Sequence, residues 1–140
     1  MRLFALLSVV LCAVPIAASS QSSNAAAYVL NQEISSACGG SGSISPGSFI
    51  EKDLTGDGRL DLLVAHEGVS CSSGGRSGFC GAQVCSVNLY VREGDLLKSK
   101  GQFLGGGVRV EGGGVPLIRM YAHGGKQTAL RWNGQSFAWQ

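Results

Sequence analysis

The stretch 53–61, Asp-Leu-Thr-Gly-Asp-Gly-Arg-Leu-Asp, constrains the fold more than any other part of this 140-residue chain. Its glycines, Gly56 and Gly58, allow the backbone to bend sharply. The flanking residues 48–54 and 60–65 are rich in the apolar and β-branched side chains that strands favour. The sequence therefore predicts a hairpin with this stretch, called the acidic loop below, at its tip.

The acidic loop also carries oxygen atoms at the spacing that calcium uses. Side-chain oxygens stand at its first, third, fifth and ninth positions and a backbone carbonyl at its seventh, which gives the candidate ligands Asp53, Thr55, Asp57, Arg59 and Asp61. Val64 occupies the position where an EF-hand supplies a bidentate glutamate, so one strong ligand is missing. We expect a weak, structural calcium site, with a dissociation constant on the order of 10⁻⁴ to 10⁻³ M. A bare turn without an ion is the alternative, since Asp, Thr and Gly are ordinary turn formers.

Residues 53–62 resemble the FG-GAP and VCBS-type calcium loops, written Asp-x-Asp-Gly-Asp-Gly-x-x-Asp-Leu. Thr55 replaces the usual second aspartate, which lowers the charge of the site. A propeller fold needs several such motifs and this chain has one, so neither the propeller nor its adhesive function is implied. With the segments 78–81, 90–91 and 131–137, the chain is similar to small exported bacterial domains of uncharacterised function. That resemblance implies an architecture and a location, and no activity.

Residues 1–20 have the pattern of a secretory signal peptide. A basic residue, Arg2, precedes an apolar run over residues 3–14, and small residues follow it. The run is too short for a membrane span, and no later segment has the roughly 20 apolar residues that a membrane helix needs. We therefore expect residues 21–140 to form a single domain in the periplasm or outside the cell.

Four cysteines follow the predicted signal: Cys38, Cys71, Cys80 and Cys85. An even number of cysteines in an exported chain predicts disulfides, and three pairings are possible. We favour Cys80 with Cys85, because the residues between them allow a tight loop, which leaves Cys38 for Cys71. A zinc site is the competing interpretation, but paired Cys-x-x-Cys knuckles are missing.

The remaining pattern predicts one helix followed by strands. Residues 22–24 can cap a helix whose apolar side is Ala27, Leu30, Ile34 and Ala37, and two glycines stop it after Cys38. Residues 86–93 alternate, with Val87, Leu89 and Val91 on the face expected to be buried. The predicted fold class is a mainly β, disulfide-braced domain of about six or seven antiparallel strands with a short N-terminal helix.

Further features of residues 68–139 agree with a mainly β fold. Residues 68–79 are polar and predict a loop between disulfide anchors. The triple glycine at 105–107 predicts a bulge or bend between strand pieces at 102–104 and 108–111. Asn133-Gly134 predicts a closing hairpin over residues 130–137. The aromatic residues Trp132, Phe137 and Trp139 are predicted to cover a core rather than to form a ligand platform.

No convergent catalytic set is visible in the sequence. The two histidines, His66 and His123, lie outside any metal or hydrolase motif, and we predict His66 to be a structural histidine beneath the sheet and His123 to be exposed. Adjacent strand residues point to opposite faces, so Glu67 is not expected to act with His66. A histidine within hydrogen-bond reach of a carboxylate in a concave pocket would favour an enzyme over a binding module.

The function expected from the sequence is an exported, non-enzymatic binding or accessory module for an unknown protein or envelope ligand. One alternative is an inhibitor of a cell-envelope or extracellular enzyme that presents the braced loop 72–78. The other is a small cell-envelope hydrolase that uses His66 or His123 with a carboxylate. Basic residues are scattered singly and the formal net charge is +2, so no nucleic-acid interface is expected.

Overall fold

The computed structural model describes residues 23–140, which form one α-helix and nine strands. The elements are α1 (Asn24–Cys38), β1 (Gly42–Ile44), β2 (Phe49–Lys52), β3 (Asp61–Ala65), β4 (Val69–Cys71), β5 (Cys85–Glu93), β6 (Leu96–Glu111), β7 (Leu117–Tyr121), β8 (Gln127–Trp132) and β9 (Phe137–Trp139). Short 3₁₀ turns occupy His66–Gly68 and His123–Gly125. The predicted signal peptide at residues 1–20 lies outside the described residues.

The strands form two antiparallel sheets. A small sheet pairs β1 with β4, and the main sheet has the order β2-β3-β5-β6-β7-β8-β9. The prediction of a mainly β, antiparallel, disulfide-braced fold with an N-terminal helix is therefore confirmed. Within residues 23–140, no helix is long and apolar enough to cross a membrane.

Strand β6 runs through the triple glycine as one strand and bends there, so the bulge or bend predicted between two strand pieces is confirmed. Its first half pairs with β5 and its second half with β7, and the register shifts between Gly106 and Arg109. A Cβ atom at Gly105 would lie 2.4 Å from Met120 Sδ, and one at Gly106 would lie 2.3 Å from the Tyr121 ring. Glycine is required here because β7 packs directly against the bent backbone.

The main sheet buries residues on both of its faces. On one face, strands β3 and β5 share a core with strands β7, β8 and β9. This core consists of Leu54, Leu63, Ala65, Val87, Leu89, Val91, Ile118, Met120, Leu130 and Phe137. On the other face, α1 packs on a smaller core of Ala26, Val29, Leu30, Leu62 and Val64. β3 contributes to both cores, so it is buried along its whole length. Phe137 belongs to the larger core and Trp132 packs against it, as predicted, whereas Trp139 is 51% exposed because β9 is the edge strand of the sheet.

Helix α1 begins and ends where the sequence predicted. Ser23 caps its first turn by accepting the N–H of Ala26 at 3.2 Å, and Gly39 ends it in the left-handed conformation. The buried face differs in detail, since Ala26 and Val29 are buried while Ala27 and Ile34 are only partly covered. The helix is therefore rotated slightly from the predicted orientation, which turns Glu33 towards the sheet.

Both favoured disulfides are present. Cys38 is bonded to Cys71, which ties the end of α1 to β4, and Cys80 is bonded to Cys85 at the start of β5. The predicted loop over residues 68–79 contains a short strand, because residues 69–71 form β4 and pair with β1. The backbone N–H of Gly78 also donates to the carbonyl of Ala37 at 2.8 Å. These links hold the 72–80 segment against the C-terminal end of α1.

Candidate functional site

The acidic loop connects β2 to β3, at the tip of the predicted hairpin. Its three aspartates, Asp53, Asp57 and Asp61, each place a carboxylate oxygen within 4.8 Å of the others. Oxygen atoms this close can contact one cation together. Asp61 is fully buried and Asp57 is exposed, so the cluster opens to solvent on one side.

Backbone N–H groups hold two of these carboxylates in place. Asp53 accepts from Thr55 at 3.1 Å and from Gly56 and Gly58 at 2.7 Å each. Asp61 accepts from Leu54 and from Arg92 at the end of β5, both at 2.8 Å. The acidic loop is thus folded by its own carboxylates, as a turn without an ion would also be.

The charges of the cluster lack a cationic side-chain partner among the described residues, where the ion pairs involve other groups. Burial raises the pKa of Asp61, and the charges of Asp57 and Asp53 raise it further. Burial also opposes ionisation of Asp53, but the N–H groups of Gly58 and Gly56 outweigh it and lower that pKa. A bound cation would relieve this repulsion between like charges.

Thr55 and Arg59 complete the predicted ligand set. The Thr55 hydroxyl lies 3.5 Å from an oxygen of Asp53, beside the cluster. The Arg59 guanidinium turns away and donates to the carbonyl of Gly94 at 2.5 Å, while its backbone N–H donates to Asp57. The side chains of Asp53, Asp57, Asp61 and Thr55 therefore offer hard oxygen atoms, which are the ligands that calcium prefers, and Arg59 can add only its backbone carbonyl.

A second candidate site lies on the face of the main sheet that α1 covers, between α1 and strands β5 and β6. A cavity of about 790 Å³, called the α1 cavity below, opens there. Its walls include Val29 and Glu33 from the helix and Asn88, Tyr90 and Leu97 from the sheet. The volume falls in the range of roughly 300–1,000 Å³ typical of small-molecule sites.

At the inner end of the α1 cavity, five side chains form a connected group, called the polar cluster: Glu33, His66, Ser77, Asn88 and Tyr90. Glu33 is its centre and accepts three hydrogen bonds. His66 Nε2 lies 2.9 Å from Oε2 of Glu33, and Asn88 Nδ2 lies 3.0 Å from Oε1. The Tyr90 hydroxyl donates to the same Oε1 atom.

The Ser77 hydroxyl lies between His66 and the segment that follows it. The backbone N–H of Phe79 donates to Ser77 Oγ at 3.0 Å, and His66 Nδ1 lies 3.0 Å from the same oxygen. Both ring nitrogens of His66 therefore have a hydrogen-bond partner, Ser77 at Nδ1 and Glu33 at Nε2.

The donors around Glu33 keep it ionised. Burial opposes its charge, but hydrogen bonds from His66, Tyr90 and Asn88 outweigh the burial and lower its pKa below the ordinary value of 4.5. Burial and the hydrogen bond to Glu33 raise the pKa of Tyr90, so its hydroxyl remains a donor. The α1 cavity therefore has a carboxylate, held by three hydrogen bonds, in its wall.

One atom of the polar cluster has no hydrogen-bond partner within the protein. Asn88 Oδ1 is buried, and it is the single such side-chain atom found in residues 23–140. The amide cannot be reversed to relieve it, because Oδ1 would then face the Glu33 carboxylate in place of Nδ2. Asn88 lines the α1 cavity with other atoms, because Oδ1 itself lies beneath the cavity surface.

The structure places both histidines where the sequence predicted. His66 is fully buried and hydrogen-bonded, and His123 is exposed. Glu67 does not act with His66, because its carboxylate accepts the N–H groups of Gly107 and Val108 at the bend of β6. His66 nevertheless meets a carboxylate, since Glu33 approaches it from the helix.

Four members of the polar cluster were not among the predicted site residues: Glu33, Ser77, Asn88 and Tyr90. On β5 the alternation of residues was read correctly, but the face with Asn88 and Tyr90 was expected to meet solvent, and α1 covers it instead. The available signal was Glu33, a charged residue one position from the predicted apolar stripe of the helix. No protein-family model, curated protein or solved structure matches this chain.

Proposed function

We propose that this protein is an exported, non-enzymatic binding module whose ligand site is the α1 cavity. The observation that carries the proposal is the wall of that cavity, where the Glu33 carboxylate, fixed by three hydrogen bonds, lies beside apolar side chains. Ligand sites are typically apolar pockets with a few fixed polar groups. Glu33 and Asn88 supply those groups here.

Export is supported by two independent features. The first 20 residues have a signal-peptide pattern, and the chain uses two disulfides, which persist in oxidising compartments. We accordingly propose a periplasmic or secreted location.

Calcium binding by the acidic loop is the second part of the proposal. The ion would be held by Asp53, Asp57 and Asp61, with Thr55 and the Arg59 carbonyl as further oxygen donors. Its role would be structural, because Asp61 also accepts the N–H of Arg92 and so joins the loop to β5. The α1 cavity is built from other residues, so the ion would stabilise the fold without contacting the ligand.

A hydrolase is the alternative that the polar cluster supports, because His66 lies 2.9 Å from Glu33, which lines the cavity, and this meets part of the criterion for an enzyme set out above. Ser77, His66 and Glu33 also form a continuous hydrogen-bonded chain. Two facts favour binding over catalysis. Ser77 and His66 are 2% and 0% exposed, and neither is among the residues that line the α1 cavity. A substrate in the cavity would therefore meet the carboxylate of Glu33 and not the hydroxyl of Ser77.

An enzyme inhibitor is the third possibility. Residues 72–76 are exposed, and disulfides at Cys71 and Cys80 brace both ends of the segment. A pre-organised loop of this kind loses little entropy on binding. Blockage of one envelope or extracellular enzyme by the purified protein, lost in Arg76→Ala, would favour this function over small-ligand binding.

The proposed ligand site is tested by an NMR screen of a chemically mixed fragment library against the oxidised protein. We expect some fragments to shift the amide signals of Val29, Asn88 and Leu97. Ser36→Trp, at an exposed position that lines the α1 cavity, should abolish these shifts. Ser35→Trp, on the same helix but outside the cavity lining, is the matched control and should preserve them. If no fragment of any chemistry perturbs the cavity residues, the binding function is wrong.

A further inference from the structure

We infer that the Cys80–Cys85 disulfide is a site of exchange with thiols and that Arg76 promotes its reduction. The Cys38–Cys71 disulfide is a structural bond in the same molecule. The co-reactant is a molecule with a thiol group, either a small thiol or the dithiol of another protein. This inference goes beyond the proposed binding function and does not depend on a ligand in the α1 cavity.

The guanidinium of Arg76 lies against one sulfur atom of this disulfide. Its Nη2 atom is 3.3 Å from Cys85 Sγ. The backbone that carries the guanidinium is fixed by an antiparallel bridge between Ser70 and Arg76. Arg76 takes part in none of the ion pairs that join residues 23–140. A positive charge that no carboxylate neutralises therefore lies beside this sulfur.

The oxidised and the reduced protein use this charge differently. A disulfide sulfur is neutral and a weak acceptor, so the guanidinium gains little from it. Reduction allows Cys85 to become a thiolate, and a neighbouring arginine stabilises a thiolate. Arg76 therefore stabilises the reduced protein more than the oxidised protein, and this difference shifts the equilibrium towards reduction.

The other sulfur atom also has a partner that serves the reduced form. Cys80 Sγ lies 3.5 Å from the backbone carbonyl oxygen of His66. The disulfide has no hydrogen to donate to this carbonyl, whereas the thiol of reduced Cys80 has one. Reduction thus leaves both sulfur atoms with a hydrogen-bond partner already in place.

The second disulfide provides an internal comparison. Cys71 Sγ also lies near a backbone carbonyl, that of Arg76, at 3.7 Å. In the described part of the chain, however, the hydrogen bond from Arg76 to Cys85 is the one contact of this kind between a cationic side chain and a cysteine sulfur. The two disulfides therefore differ in the cation, and the cation favours reduction of Cys80–Cys85.

Exposure decides which sulfur atom is attacked. Cys80 is partly exposed and Cys85 is 2% exposed, so an incoming thiolate attacks Cys80 Sγ. The sulfur–sulfur bond breaks, and its electron pair leaves on Cys85 Sγ beside Arg76. A second thiolate attacks the incoming sulfur of this mixed disulfide and releases Cys80, which takes a proton from water. Two thiols are thereby oxidised to one disulfide, and the protein disulfide is reduced.

Backbone hydrogen bonds hold the two cysteines close to each other without help from the sulfur atoms. The N–H of Gly81 donates to the carbonyl of Val84 at 2.8 Å, and the N–H of Ser86 donates to the carbonyl of Phe79 at 2.9 Å. Reduction breaks neither bond. The reduced cysteines therefore remain placed for re-oxidation, and the exchange is reversible.

The test is to equilibrate the unmodified, oxidised protein in glutathione buffers of graded composition, to trap free thiols with N-ethylmaleimide and to digest with trypsin. Cys80 and Cys85 share the fragment 77–92, so mass spectrometry reads the two disulfides separately. At about pH 8, we expect Cys80–Cys85 to be half reduced at a ratio of squared glutathione to glutathione disulfide about tenfold lower than Cys38–Cys71 requires. Equal ratios, or earlier reduction of Cys38–Cys71, would overturn the inference.

Substitutions of Arg76 test the role of the cation. Arg76→Gln should raise the ratio for Cys80–Cys85 about threefold and leave that for Cys38–Cys71 unchanged. Arg76→Lys keeps the charge and should restore most of the effect, a rescue that a merely structural arginine would not show. Arg131→Gln, at an exposed position on β8, is the control and should change neither ratio. Unchanged reduction in Arg76→Gln would show that Arg76 does not promote it.

The position of the mixed disulfide and the choice of thiol complete the test. We expect glutathione to be attached to Cys80 in partly reduced protein, and attachment to Cys85 would contradict the order of attack. A reduced protein with a Cys-x-x-Cys dithiol is then compared with glutathione at equal thiol concentration. Faster reduction by glutathione would assign the co-reactant to small thiols, and faster reduction by the protein would assign it to a protein dithiol. Reduction by neither would overturn the inference.

Discussion

The acidic loop and the polar cluster are both groups of carboxylate-centred hydrogen bonds, but they are assembled in different ways. The three aspartates of the loop lie within nine consecutive residues, and backbone N–H groups of the same turn hold two of them. The polar cluster joins residues of α1, of the segments that carry His66 and Ser77, and of β5. A local site can be recognised from spacing, whereas a site built from distant segments depends on how those segments pack.

The two regions should therefore respond differently to perturbation. Loss of tertiary restraints should damage the polar cluster and leave the acidic loop intact. Substitutions inside the acidic loop should damage the loop and leave the polar cluster intact.

The largest effect is expected from the Cys38–Cys71 disulfide, which closes a separation of 33 residues. Replacing both cysteines by alanine should lower the free energy of unfolding by about 3–4 kcal/mol, because the unfolded chain gains entropy. Fragment binding in the α1 cavity should weaken as well, since the bond fixes the end of the helix that carries Glu33. Urea unfolding and NMR titration measure the two effects.

The Cys80–Cys85 disulfide is the control, because it spans only five residues and its removal should cost about 2 kcal/mol. A greater loss from Cys80→Ala/Cys85→Ala than from the first pair would contradict the prediction. Any response of melting temperature to calcium should survive in both double variants.

Removing the centre of the polar cluster should have the next largest effect. Glu33→Ala leaves the donors of His66, Asn88 and Tyr90 without their acceptor, and the expected loss of stability is about 2–4 kcal/mol in urea unfolding. Glu111→Ala, whose carboxylate pairs only with exposed arginines, should change stability by less than about 0.5 kcal/mol. Similar losses in the two variants would show that the cluster is not a special element of the fold.

Calcium should stabilise the protein through the acidic loop alone. With a dissociation constant of about 1 mM, 10 mM calcium would add roughly 1.4 kcal/mol and raise the melting temperature. Asp57→Ala should abolish the rise, Thr55→Asp should increase it by adding a charged ligand, and Glu33→Gln should leave it unchanged. The absence of both binding heat and a melting shift in the unmodified protein would establish a bare turn.

The smallest expected effect is on pH dependence. Because hydrogen bonds lower the pKa of Glu33 in the folded protein, its contribution to stability is complete above the ordinary value of 4.5 and is lost as the pH falls through the lower folded value. Glu33→Gln should therefore show a shallower loss of stability below pH 4.5. Parallel pH profiles for the two proteins would mean that Glu33 titrates normally.

Much of the fold was predictable because its signals are local. Ser23 and Gly39 cap the helix, Gly56 and Gly58 bend the hairpin tip, and alternation on β5 marks the core face. Each signal depends on the chemistry of a few neighbouring residues. The bend of β6 at the triple glycine was predicted as well. The contact of the Glu67 carboxylate with two N–H groups of this bend was not, because Glu67 is distant in sequence.

By itself the sequence determined the fold class, the pairing of the cysteines and the position of the acidic loop. Only the tertiary structure decided that α1 covers the polar face of β5, so that Glu33 meets His66, Asn88 and Tyr90 beside a cavity. The physical reason is that a side-chain pattern specifies which face of an element is apolar, while packing decides what covers the other face. The candidate ligand site therefore exists because α1 covers the polar face of β5.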